Sequence, residues 1–161
     1  MLEERPDKWK IDIIDRAAYL RGRYMTSFAQ CEFLLADLSV RVDNRFRYPL
    51  KKRINAALTM AESGGALNAY ADEFVPMIES FIDRSHIRHW LAHGFLILIT
   101  DKAGNHLLSY RRYLDDAQSL TTWECTLEFL EKEAASITIY AQNFVKLHKR
   151  IYLDLGLENA Q

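Results

Sequence analysis

Ser85-His86-Ile87-Arg88-His89-Trp90-Leu91-Ala92-His93-Gly94 closes a long helical pattern and carries the clustered histidines of the chain. Upstream of it, Phe74, Ile78 and Phe81 recur at steps of three and four, the spacing of one helix face. The same spacing continues through Ser85, Arg88 and Ala92. At roughly 100° per residue, Arg88 lies within about 40° of Phe74 around the axis. An arginine therefore stands where the periodicity asks for a core residue. A guanidinium buried there is costly unless an anion or a hydrogen-bond acceptor meets it. His93 follows five residues later at the expected helix end, and Gly94 is a residue type common at C-caps. A fixed cation beside a group that titrates near neutral pH suits chemistry at phosphate.

Working outward, Lys8 to about Val42 reads as one long helix, entered through Pro6 and Asp7. Its apolar positions include Ile11, Ile14, Ala18, Met25, Phe28, Leu35 and Leu38. Gly22 interrupts the pattern and suggests a bend or a close helix crossing. A loop over 43–49 leads to a short helix from Leu50 to Ala61, and Glu62-Ser63-Gly64-Gly65 is a turn. The third helix runs from about Leu67 to His93, with Pro76 expected to kink it or to mark its true start. After Gly94 the period changes. Phe95 to Thr100 and His106 to Tyr110, joined by Asp101-Lys102-Ala103-Gly104-Asn105, read as a β-hairpin within about residues 95–113. A last helix is expected from about Thr121 to Tyr152, with Thr121 and Glu124 as a capping box. Leu127, Leu130, Ala134, Ile137, Ala141, Phe144, Leu147 and Ile151 form its stripe. The expected fold is mainly α: an up-down helical bundle with a small β-hairpin after the third long helix, one domain over residues 1–161.

Bulk properties narrow the function classes. The chain has 161 residues, is 49% hydrophobic and 27% charged, and carries a formal net charge of −1. That charge gives no global pull toward nucleic acid, so such binding must use a local patch. The two cysteines, Cys31 and Cys125, lie within expected helices and read as buried thiols of a reducing compartment. The N-terminal residues are too polar for a signal peptide, and no apolar run reaches a membrane span. A soluble cytoplasmic protein without membrane association is expected.

Familiar catalytic motifs are lacking: no glycine-rich phosphate loop, no Cys-x-x-Cys, no His-Glu-x-x-His. His86, His89 and His93 fall within about 60° of arc, so a shared metal ion has to be weighed. No carboxylate or thiolate at useful spacing completes the set, and neither a metal nor a cofactor is expected. Partial burial with hydrogen bonds is the ordinary reading of such histidines, but it leaves Arg88 unexplained. Glu32, at the edge of the first helix's apolar face, reads as an ordinary boundary residue or as a carboxylate that orients Arg88 or a histidine. Arg84 is a further supporting candidate. Lys51 and Lys52, with Arg45, Arg47 and Arg53, form a solvated face or a phosphate-facing patch. Tyr110-Arg111-Arg112-Tyr113 interleaves rings and guanidiniums, as an exposed strand end or as a clamp for single-stranded RNA.

Arg88-His89-Trp90-Leu91-Ala92-His93-Gly94 resembles the signature of the HEPN superfamily, an arginine, often a polar neighbour, then a histidine after four to six residues. Arg88 matches the arginine, His89 the polar neighbour and His93 the histidine. The Ala-His-Gly ending and the motif's place at the end of the third helix also agree. The resemblance implies a homodimeric helical domain whose paired motifs line one cleft. It implies a metal-independent endoribonuclease, in a toxin–antitoxin or defence setting, or a non-catalytic relative that binds RNA, a nucleotide or a protein. Arg88, His93 and His89 would be its catalytic residues. Implied partners are the RNA substrate and an antitoxin or nucleotidyltransferase. Some family members carry a tyrosine two residues after the histidine, which the nucleotidyltransferase modifies. Phe95 stands there in this chain, so that regulation is not expected.

Overall fold

The computed structural model describes residues 8–114 and 118–157. Among them are four α-helices, α1 (Lys8–Asp43), α2 (Leu50–Ala61), α3 (Ala71–His93) and α4 (Leu127–Asp154). A 3-10 turn, Asn68–Tyr70, precedes α3. Between α3 and α4 lies an antiparallel sheet of three strands in the order β1 (Phe95–Thr100), β2 (His106–Tyr113) and β3 (Leu120–Cys125). The fold is thus mainly helical with a small sheet after the third helix, as the periodicity predicts.

The third strand corrects the sequence reading. Thr121 and Glu124 do not open α4; they lie in β3, paired with Arg112 and Ser109 of β2. Leu120-Thr121-Thr122-Trp123-Glu124-Cys125 alternates outward and inward, which is the two-residue period of a half-buried strand. The cap of α4 is Thr126, whose hydroxyl accepts a hydrogen bond from the Phe129 amide at 3.0 Å. Two further expectations change. Gly22 marks no close helix crossing, since a Cβ added there would meet nothing within 4 Å. Pro76 does not start α3, which begins five residues earlier with Asp72 and Glu73 in its first turn.

The chain divides into two compact units. The first takes Met1–Thr26 and His86–Ile137, the second Ser27–Ser85 and Thr138–Gln161. The three boundaries of this division fall inside α1, α3 and α4 and not in loops.

The second unit is built on an aromatic ladder. Phe28 stacks on Phe81 with ring centroids 4.4 Å apart, and Phe81 lies 6.5 Å from Phe144. Phe74, Ile78 and Phe81, the predicted stripe of α3, are all fully buried. His148 ends the ladder, edge-on to Phe144 at 4.3 Å. Its Nδ1 donates to the Phe144 carbonyl oxygen at 2.9 Å. Burial pushes its pKa down to about 4, only partly opposed by that hydrogen bond and by the charge of Asp37. Tyr152 donates to Asp37 at 2.6 Å, and Arg41 grips the same carboxylate at 2.8 Å. Cys31 lies in this core as a free thiol, and burial pushes its pKa up to about 12.

His148 makes stability depend on pH. Above its ordinary pKa both folded and unfolded chains keep it neutral, so its stabilising share is complete. As pH falls from about 6.5 toward 4, the unfolded chain binds the proton first and folding loses roughly 3 kcal/mol. Urea titrations at pH 7 and pH 4.5 should show most of this loss in the wild type and a smaller one in His148→Phe. Equal losses in the two proteins would contradict this role.

Candidate functional site

The sequence motif falls in the first unit, where α3 ends and the sheet begins. α3 stays helical through His93, and the Gly94 amide donates the last helical bond, to the Trp90 carbonyl at 2.8 Å. Gly94 does not adopt the left-handed backbone of a common C-cap; the glycines with positive φ are Gly64, Gly104 and Gly156. Its role is steric. A Cβ at Gly94 would sit 2.7 Å from the Trp90 carbonyl oxygen and 2.9 Å from Cβ of Tyr110. Only a glycine lets β2 approach the end of α3 this closely.

Tyr110 fills the space so created. It is fully buried, with its ring 5.6 Å from that of Trp123. Burial pushes its hydroxyl up to about 12, with the Arg21 charge acting in the opposite direction. A ring enclosed in this way has no face left for a base. The expectation that Tyr110 stacks on RNA is therefore corrected: it is a core residue of the first unit.

The strand alternation also separates Arg111 from Arg112. Arg112 shares a face with Tyr110 and reaches back to α3. Its guanidinium lies over the Trp90 ring, 5.1 Å from the centroid, and its Nη1 donates to Nε2 of His89. A guanidinium has no acceptor, so Nε2 of His89 must be the accepting nitrogen. His89 is thereby a strut between α3 and β2. Trp90 adds to the same joint, 6.5 Å from Trp123, which meets Phe129 of α4 edge-on. Sequence spacing cannot foresee the contacts that Arg112 makes with His89 and Trp90, or that of Trp90 with Trp123, because they join residues more than twenty positions apart.

Arg88 and His93 differ in exposure. His93 is exposed at the C-terminal end of α3, and its ring lies 5.0 Å from that of His89. Arg88 is partly buried, with its Nε shielded from solvent. His93 lies five helical steps beyond Arg88, about 7.5 Å along the axis and roughly 140° around it. His86 is exposed. Among the described residues, no three His, Cys, Asp or Glu side chains gather as a metal site requires. One neighbour went unnoticed in the sequence. Arg21 of α1 points Nη2 at the Ala92 carbonyl oxygen, at 3.5 Å, where the helix dipole favours a cation. Only its place on α1, one residue past the buried Leu20, hints at it.

The other candidates belong to the second unit. Glu32 lines a groove of about 350 Å³ with Phe33, Phe46 and Arg53, and Arg53 approaches its backbone carbonyl at 3.4 Å. Arg84 lies over the Tyr140 ring at 4.9 Å. Lys51 and Lys52 are exposed in the first turn of α2. The wider basic patch is partly spent on the fold: Arg47 binds Asp43 and, at 3.1 Å, the Ser39 hydroxyl. Arg53 donates to the Arg47 carbonyl at 2.6 Å. No described helix is long and apolar enough to cross a membrane. Comparisons with family models, with curated proteins and with solved structures find no match to this chain.

Gly94→Ala tests the close approach. The added methyl must displace backbone and Tyr110, and this should cost about 1–3 kcal/mol of unfolding free energy in urea melts. A melt that matches the wild type would show that the strand does not need to come so near.

Proposed function

We propose that this chain is a HEPN-type endoribonuclease, acting as a homodimer without a metal. One observation carries the reading: His93 stands exposed at the tip of α3, with the partly buried Arg88 one and a half turns behind it on the same unbroken helix. His89, the third motif residue, supports the joint with β2 through Arg112 and is a positioning residue in this scheme.

The chemistry follows from those two groups. A ribose 2′-hydroxyl attacks the adjacent phosphorus while the bond to the 5′-oxygen breaks. His93 takes the proton from the attacking hydroxyl or returns one to the leaving oxygen. Arg88 offers two N–H groups to the non-bridging oxygens as charge builds on them. The products are a 2′,3′-cyclic phosphate and a 5′-hydroxyl. One imidazole does not readily serve both ends of an in-line displacement. The angle between Arg88 and His93 around α3 also makes it hard for one helix to present both to one phosphate. A second copy supplies the complementary pair. An antitoxin of a toxin–antitoxin or defence system would act by covering this cleft.

A second reading is a non-catalytic HEPN module that binds RNA, a nucleotide or a protein. The net charge of −1 and the internal use of Arg47, Arg53 and Arg112 favour it over a strongly RNA-retaining enzyme. One assay separates the two. RNA incubated with the protein in EDTA should be cut by the wild type. His93→Ala should lower the rate by about 10²- to 10⁴-fold, and Arg88→Ala should lower it too. Equal cleavage by all three proteins would remove these residues from the chemistry; no cleavage with retained binding would leave the second reading.

A further inference from the structure

The end of α3 meets a second arginine. Arg21 of α1 is partly buried, and its Nη2 reaches the Ala92 carbonyl oxygen at 3.5 Å. That carbonyl belongs to the peptide that joins Ala92 to His93. Across a planar trans peptide the oxygen lies about 2.8 Å from the next Cα, so the guanidinium nitrogen stands within roughly 6 Å of the His93 Cα. Arg88 is placed otherwise, more than a turn behind His93 and roughly 140° away around the helix. Of the two arginines, Arg21 is the one set beside the backbone of His93.

A helix cap does not account for this side chain. A free carbonyl in the last turn needs one N–H, and a guanidinium has five. The contact is also at the long limit of a hydrogen bond. Among the described residues no carboxylate pairs with Arg21, so a charge partly withdrawn from water keeps most of its donors uncommitted. Tyr110 lies in its field, but burial keeps that hydroxyl protonated, and it too finds no hydrogen-bond partner. Arg112, the guanidinium that reaches α3 from β2, is engaged with His89 and Trp90. Beside Arg21 the surface of α1 is open: Gly22 is exposed, and a Cβ added there would meet nothing within 4 Å. What this corner lacks is a small anion with several oxygens.

We infer that Arg21 is a substrate-binding residue of the site, holding a phosphodiester of the RNA against the end of α3 while His93 works on the adjoining ribose. A phosphodiester suits it on two counts. Its two non-bridging oxygens accept the parallel N–H pair of a guanidinium, and its single charge matches a single cation. The inference rests on the proposed function, because RNA is what brings that phosphate to His93. It adds a division of labour. Arg21 binds in the ground state, and Arg88 meets charge that builds in the transition state. Loss of Arg21 therefore shows mainly in KM, and loss of Arg88 mainly in kcat.

The salt dependence of RNA binding tests this apart from cleavage. A fully 2′-O-methylated single-stranded RNA has no hydroxyl to attack, and the slope of log Kd against log salt counts the phosphates neutralised. Arg21→Gln should lower that slope by about 0.7 and weaken binding roughly tenfold at low salt, while keeping the wild-type circular dichroism. Arg21→Lys should keep the slope yet lose affinity, because an ammonium lacks the fork. On unmodified RNA, Arg21→Lys should raise KM more than it lowers kcat. A residue that only caps α3 would move neither slope nor affinity. Arg21→Gln with the wild-type slope, Arg21→Lys with the wild-type affinity, or a wild type that does not hold the RNA would each overturn the inference. If Arg21→Gln fails to fold, the Arg21→Lys affinity decides. Cleavage by a wild type whose slope Arg21→Gln leaves unaltered would sink the clamp and spare the chemistry; a lowered slope in a protein that cuts no RNA would do the reverse.

Discussion

The contact between Gly94 and Tyr110 governs the first unit. With no side chain at Gly94, β2 lies directly against the end of α3. The chain then passes from helix to strand without a left-handed turn, because β1 starts at the next residue. Tyr110 is locked between that glycine and Trp123, and this sets the phase of the whole sheet. With Tyr110 inward, Arg112 must also face inward and Arg111 outward. The inner arginine finds His89 and Trp90; the outer one stays with the open face.

That phase sorts Arg88, His89 and His93 into different surroundings. His89 meets a guanidinium and is held. His93, one turn further, is exposed, although the next residue, Gly94, lies against β2. Arg88, one residue before His89, is the partly buried charge of the motif. A proton-transfer group needs access, whereas a strut needs enclosure, and α3 supplies both within one turn. The buried titratable groups elsewhere are poor reagents by comparison. Cys125 is pushed up to about 11 by burial, and Tyr140 is pushed up as well, its hydroxyl donating to the Met77 carbonyl at 2.6 Å.

Much of the architecture was legible because period decides element type. Phe74, Ile78 and Phe81 read as a buried helix face and are one. Phe95 to Thr100 reads as a strand because its β-branched run follows a glycine. β3 was hidden by a competing local signal: Thr121 and Glu124 have capping-box spacing, while the true cap, Thr126, has Phe129 three residues on. The site was legible as a list but not as an arrangement. Arg88, His89 and His93 could be named from spacing. That Arg112 would occupy His89 and that Tyr110 would be sealed both depend on which strand face turns inward. One residue of register reverses every such contact, and no local pattern fixes it.

The central claim is that a ribose hydroxyl, activated at His93, cleaves RNA beside Arg88. The most direct measurement compares a single-stranded RNA with the same sequence fully 2′-O-methylated, each incubated with the wild-type chain, with end-group analysis of the products. The account predicts fragments ending in 2′,3′-cyclic phosphate from the first and none from the second. Equal cutting of the methylated strand, or products bearing a 5′-phosphate, would contradict it.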